Sequence, residues 1–291
     1  DPGVFALDQM FRQVVYPIGT RLILQNLTYI ADLLRIDLFQ WSIILSFINL
    51  ALFLLGLYWL LRQSLKSKLF AFVITLFSVI PVHVLGGTTY GFQALGFLVR
   101  DLALGLSMYV LLLYFLAINR KKLGLLQLCF LIMGILANGY PLLFFHLFAV
   151  LLFAELIRKG KLTISVFIYT GLFLAASSPA WLDMFINYSP ATSIDMDLLR
   201  IRLGYMMASP LFSALTQYLR RFFLYFLFIL VIYWPIRRWA SENEKQILEP
   251  WLVIAASSFI IAVVGVIIET FTPYAKYVIS RTSIWFTLSA M

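Results

Sequence analysis

Long apolar runs alternate with short basic interruptions along the chain. Positions 38–61 carry no charge and are long enough to cross a bilayer as a helix, which takes roughly 20 residues. Positions 69–99 are uncharged too, but Pro81, Gly86 and Gly87 break the second half. The pattern predicts a helix over 69–85, then an irregular segment through Gly86-Gly87-Thr88-Thr89-Tyr90-Gly91. A further span is expected at 102–118. The run 123–154 is too long for one crossing and short for two, with Asn138-Gly139-Tyr140-Pro141 at its middle. That tetrapeptide is a turn signal, so the run reads as a tight pair of helices. Spans follow at 162–177, 222–236 and 250–268, with an incomplete one at 274–291.

The charges between these runs test that count. Arg62, Lys66 and Lys68 form one basic cluster, and Arg120, Lys121 and Lys122 the next. Arg158, Lys159 and Lys161 follow, then Arg237, Arg238 and Lys245. All four fall on one side only if the chain reverses at Asn138. The positive-inside rule therefore supports the hairpin and makes those junctions cytoplasmic. Every Asp then falls on the outer side, while Glu155, Glu242 and Glu244 lie in or beside the inner junctions. The longer outer segments are 1–37, 86–101 and 178–219. Long loops are where binding and catalysis concentrate, so the working face is expected to be the outer one.

Residues 4–36 carry helical spacing of their own. Phe5, Leu7, Met10, Phe11, Val14 and Val15 form one stripe, and Ile23, Leu24, Leu27, Ile30, Ala31 and Leu34 another, with Pro17-Ile18-Gly19 between them. This predicts two short amphipathic helices lying on the outer membrane surface.

Composition narrows the class. The 291 residues are 63% hydrophobic and only 12% charged, whereas soluble domains carry about twice that share of charge. A cytosolic enzyme, a disordered chain and a disulfide scaffold are excluded. The net charge of +9 sits in the short junctions, where it sets topology rather than binding nucleic acid. The single Cys129 supports neither a disulfide framework nor a cysteine metal site. The chain opens Asp1-Pro2-Gly3 and ends inside an apolar run, so it reads as a piece of a longer membrane protein. The expected fold is an all-α polytopic transmembrane bundle of about eight to nine spans. Residues 1–37 would be an outer loop with surface helices, and 38–291 the bundle, with a long outer loop at 178–219.

Several groups could carry chemistry. Asp1 and Asp8 open the first outer loop, with Arg12 one turn later. A carboxylate there can take a proton from an attacking hydroxyl, and two can hold a divalent cation; a solvated helix-start acid looks the same. His83 and His146 are the only histidines, and Tyr90, Asn138 and Tyr140 fall near them in the topology. Together they could line an outward pocket, or each histidine could be a buried hydrogen-bonded group. Arg100 (paired in sequence with Asp101), Arg220 and Arg281 stand at outer ends of spans. Arginine there can fork onto a lipid phosphate or snorkel to head groups. Asp195 and Asp197 make a lone D-x-D, a weak metal motif. There is no P-loop, Rossmann glycine pattern, nucleophile elbow or H-E-x-x-H.

The run Asp1-Pro2-Gly3-Val4-Phe5-Ala6-Leu7-Asp8, the two surface helices and a span ending Phe53-Leu54-Leu55-Gly56-Leu57-Tyr58 resemble bacterial proteins of the GT-C glycosyltransferase superfamily. Ala137-Asn138-Gly139-Tyr140-Pro141, followed by His146, is similar to the Asn-x-x-Pro turn of one branch. The likeness covers residues 1–180. It implies a many-helix bundle in the bacterial cytoplasmic membrane, a catalytic acid in the first outer loop, here Asp1 or Asp8, and a polyprenyl-phosphate sugar as donor. Arg12, Arg100, Arg220 and Arg281 would then hold the donor phosphate. The readings from other classes are a transporter or flippase of a lipid-linked substrate, which needs a polar path across the bilayer, and a non-catalytic scaffold.

Overall fold

The computed structural model describes residues 18–65, 67–79, 82–84, 88–90, 99–186 and 241–271, with isolated positions at 227, 231 and 238–239. These residues are helical apart from one small hairpin. The helices are α1 (Ile18–Leu34), α2 (Leu38–Ser64), α3 (Lys68–Phe77), α4 (Val99–Asn119), α5 (Leu123–Ala137), α6 (Pro141–Lys159), α7 (Ile164–Ala176), α8 (Ser178–Ile186) and α9 (Glu242–Phe271). Strands β1 (Val82–Val84) and β2 (Thr88–Tyr90) pair antiparallel between α3 and α4.

Local chemistry sets most of the boundaries. Arg35 takes φ 52°, closing α1 with an Ile36 N–H bond to the Ala31 carbonyl. Asp37 then caps α2, its Oδ2 accepting from the Phe39 N–H at 2.9 Å. Lys121, also left-handed, closes α4, and Gly160 at φ 62° closes α6. Pro141 opens α6 at a position where a missing N–H costs nothing.

The expected hairpin at Asn138 is present: α5 ends at Ala137 and α6 begins at Pro141. The helix expected over 69–85 ends instead at Phe77. The Ser78 hydroxyl bonds back to the Thr75 carbonyl, Pro81 follows, and Val82, His83 and Val84 form β1. An uncharged run does not by itself separate helix from strand. The loop expected over 178–219 begins with α8, a helix packed on α1 and α7. The span expected from Pro250 is present as Leu248–Gly265, within a longer helix, α9, that begins at Glu242 and holds Pro250 inside it. A helix, α1, stands where the second surface helix is expected, with Leu22, Tyr29, Leu33 and Leu34 on it exposed. The first, and the spans at 222–236 and 274–291, lie outside the described residues.

Four described helices are long and apolar enough to cross a membrane: α2, α4, α6 and the Leu248–Gly265 part of α9. Helices α3, α5 and α7 are apolar but shorter. The outward surface fits lipid: Phe39, Phe47, Trp59, Phe70, Phe77 and Phe167 are all exposed. The chain therefore has the form of an integral multi-pass membrane protein.

The core runs through α2, α4, α5, α6 and α7. Small residues let backbones approach, as in membrane helix pairs generally. Gly56 of α2 lies against Met108 and Tyr109 of α4, while Gly105 of α4 lies against Phe53 and Asn49 of α2. These two helices therefore run parallel and pack directly on each other, while α3 packs on α2. A Cβ at Gly134 would stand 2.7 Å from the Phe173 carbonyl, so α5 and α7 touch backbone to backbone. Phe130 stacks on Tyr169 at 4.8 Å, and Phe148 on Phe173 at 3.9 Å.

This geometry collects the basic junctions at one end. The α2, α4 and α6 C-termini all lie there, and the Trp251 indole of α9 joins them by donating to Ser64 Oγ at 2.7 Å. The described aspartates, Asp32, Asp37, Asp101 and Asp183, lie at the opposite end. The described aspartates thus gather at one end and the basic junctions at the other, with Arg35 and Arg100 beside the aspartates and Glu155 among the basic residues.

Candidate functional site

At the end away from the basic junctions, four elements meet around a cavity of about 110 Å³. Ile23 of α1 covers it. Val99, Leu102, Ala103 and Leu106 form the α4 wall, and Ile135, Leu136, Gly139, Tyr140 and Phe144 complete it from the α5–α6 corner. The 3.6-residue period puts 99, 102, 103 and 106 on one face of α4. Arg100 flanks that face, and Asp101 turns away from it. The lining is apolar except for Tyr140.

Arg100 and Asp101 form an ion pair at the start of α4. Both Nε and Nη2 of Arg100 donate to Asp101 Oδ1, at 3.2 and 3.1 Å. The arginine side chain keeps 37% exposure while the aspartate keeps 1%. Asp101 Oδ2 is buried without a hydrogen-bond partner among the described residues. A carboxylate at a helix start is favoured by the helix dipole, which accounts for its position.

Asn138 is the joint of this end. Its Nδ2 donates to the Ala176 carbonyl at 2.9 Å and to the Ile135 carbonyl at 3.1 Å. Its Oδ1 accepts from the Ala180 N–H at 3.0 Å. One side chain thereby ties the α5–α6 corner to the α7–α8 corner. Helix α1 docks on the same corner: Thr20 Oγ1 donates to the Gly139 carbonyl, and Gly19 lies so close to the Asn138 carbonyl that no Cβ would fit.

Of the candidates read from sequence, Arg100, Asn138 and Tyr140 come together at this end. His146 is buried farther along α6. His83 and Tyr90 lie on β1 and β2, one register step apart, since Val82 pairs with Tyr90 and His83 with Thr89. Asp1, Asp8, Arg12, Arg220 and Arg281, with Asp195 and Asp197, lie outside the described residues. No group of three or more metal-ligating His, Cys, Asp or Glu occurs among the described residues.

A second polar centre lies at the basic end. Glu155 of α6 is fully buried. Its Oε1 accepts from the Tyr114 hydroxyl of α4 at 3.1 Å. Its Oε2 accepts from Arg158 Nη2 at 2.8 Å and lies 3.7 Å from Lys159 Nζ. Lys159 also donates to Ser165 Oγ of α7. Sequence reading placed Glu155 beside an inner junction but gave it no role. Its spacing to Arg158 and Lys159, three and four residues, was the visible signal; Tyr114, 41 residues away, was not visible.

No known protein family, curated protein or solved structure matches this chain.

Asn49 and His146 are buried too, and the remaining buried polar groups include several hydroxyls. The hydroxyls of Thr75, Ser107, Ser257 and Ser258 bond to carbonyls of their own helices. Their hydrogen-bonding needs are met locally, and they do not join into a chain between the two ends.

Proposed function

We propose that this chain is a membrane-embedded glycosyltransferase, moving a sugar from a polyprenyl-phosphate-type donor to an acceptor on the outer face of a bacterial cytoplasmic membrane. The observation that carries the reading is the apolar cavity beside Arg100. A lipid-linked donor has an apolar chain, a phosphate and a sugar. The cavity walls suit part of the chain, and a half-exposed guanidinium at the adjacent helix start suits the phosphate. The positive-inside rule puts this end outside.

In the reaction, an acceptor hydroxyl loses its proton to a carboxylate, Asp1 or Asp8. The acceptor oxygen bonds to the sugar's anomeric carbon, and the bond from that carbon to the phosphate oxygen breaks. The phosphate leaves with the electron pair, and nearby arginines offset its growing charge. A transporter would need polar groups across the bilayer, and the buried hydroxyls of Thr75, Ser107, Ser257 and Ser258 bond to carbonyls of their own helices.

The test uses the full-length protein in native membranes, with labelled sugar on polyprenyl-phosphate donors. Asp1→Asn or Asp8→Asn is expected to lower transfer by roughly 100-fold or more, the scale of a lost general base. Arg100→Ala is expected to raise the donor KM. A folded protein that transfers from no donor contradicts the reading.

A further inference from the structure

The junction of α6 and α7, at the end opposite the cavity, holds more positive charge and more hydrogen-bond donors than its own fold uses. Arg158, Lys159 and Lys161 meet there against one carboxylate, Glu155. Three cations less one anion leave an excess of two positive charges. Helix α7 starts at the same place without a side-chain cap. Thr163, which occupies the cap position, has its hydroxyl on Ser165 Oγ at 2.8 Å instead. First-turn N–H groups of a helix lack the usual intrahelical acceptors, and they attract anions; of those in α7, the Val166 N–H bonds the Thr163 carbonyl.

A separate observation points the same way. Tyr169 is fully buried, and among the described residues its hydroxyl has no partner at full hydrogen-bond distance, only the Ser165 side chain of the first α7 turn close by. Long side chains on a helix lean towards its N-terminus, which aims this hydroxyl at the first turn of α7. Lys159 Nζ, already bonded to Ser165 in that turn, lies 5.3 Å from the Tyr169 ring centroid. A buried hydroxyl without a partner is costly, and here it lies beneath the uncapped turn and the lysine.

We propose that the α6–α7 junction binds a phosphate group, held by Lys159, the first turn of α7, Ser165 and the Tyr169 hydroxyl. Glu155 is the positioning residue. Its contacts with Arg158 and Lys159 hold both cations against the bundle before any ligand arrives. Phosphate fits better than a metal ion because the surplus is of positive charge and donors. A lipid headgroup of the adjoining leaflet and a soluble phosphate share this chemistry.

The experiment uses the purified full-length protein. Retained lipid is counted by native mass spectrometry after exchange into phosphatidylglycerol, phosphatidic acid or phosphatidylcholine. Inorganic phosphate is titrated separately by calorimetry. Wild type should retain anionic lipid over phosphatidylcholine, or bind inorganic phosphate, and which probe binds distinguishes the two sources. Lys159→Gln and Tyr169→Phe should each weaken that binding about three- to tenfold, the scale of one lost hydrogen bond to a charged group. Tyr169→Phe keeps the ring and removes only the unpartnered hydroxyl, so it leaves the fold intact. Lys122→Gln, at the neighbouring α4–α5 junction, should change nothing. Equal losses for Lys122→Gln and Lys159→Gln would reduce the effect to general basic charge and overturn the proposal. So would binding that Tyr169→Phe leaves unchanged, or an absence of preference for every phosphate probe.

Discussion

Glu155→Ala should lower the unfolding free energy of the solubilised protein by about 3 kcal/mol, the lower end of the range for breaking a buried ion pair. The lower end applies because Arg158 and Lys159 keep 30% and 23% side-chain exposure, and both can turn to water or headgroups. Tyr114 cannot. It is 1% exposed, and its hydroxyl would lose its acceptor inside the bundle. The cost should therefore be coupled to that hydroxyl. Tyr114→Phe alone is expected to cost about 1 kcal/mol. In a Tyr114→Phe background, Glu155→Ala should cost measurably less than in wild type, since no donor is orphaned. Chemical or thermal unfolding of the four proteins of this cycle checks it. Additive costs would mean that Tyr114 and Glu155 do not act together.

Asn138→Ala is expected to have the second large effect, about 2 kcal/mol of stability, with a local consequence as well. The amide serves carbonyls of α5 and α7 and the first turn of α8. Without it, the Ala180 N–H keeps only the Ser177 carbonyl as acceptor, and the Ala176 carbonyl loses a donor. Amide exchange should rise around residues 176–181 and at the 138–141 corner, and stay unchanged in α2 and α4. Asn138→Asp should be no milder. It keeps an acceptor for Ala180 but turns a second oxygen on the carbonyls of Ala176 and Ile135, 2.9 and 3.1 Å from the present nitrogen. Full stability in Asn138→Asp would contradict the assigned hydrogen bonds.

The two centres show what the sequence makes legible. Asn138-Gly139-Tyr140-Pro141 is a local turn signal, and the basic clusters alternate with apolar runs, so the α5–α6 hairpin could be read directly. The partners of Asn138 at Ala176 and Ala180 could not, because pairing across 38 and 42 residues leaves no trace in periodicity. The same holds for Tyr114 with Glu155, and for the close approach of Gly19 to the Asn138 carbonyl. The early end of α3 is hidden for a different reason: 69–85 is uncharged, and with only Thr75, Ser78 and His83 polar its pattern does not separate helix from strand. At the candidate site, the sequence singled out Arg100, Asn138 and Tyr140 by type and by end of span. It did not show that Asn138 is a structural joint, or that an apolar cavity lies between the Val99–Leu106 face of α4 and Tyr140.

The most direct test of the account is photocrosslinking. A polyprenyl-phosphate analogue with a diazirine on its isoprenoid chain is bound to the full-length protein in nanodiscs, and the labelled peptides are mapped. The account predicts label on the cavity wall, in the segments holding Ile23, Leu102 to Leu106 and Tyr140 to Phe144. Leu102→Trp, which fills the cavity, should remove that label while leaving the protein folded. Label spread over the lipid-facing residues of α2 and α3, and unchanged by Leu102→Trp, would contradict a lipid-carrier site at this end of the bundle.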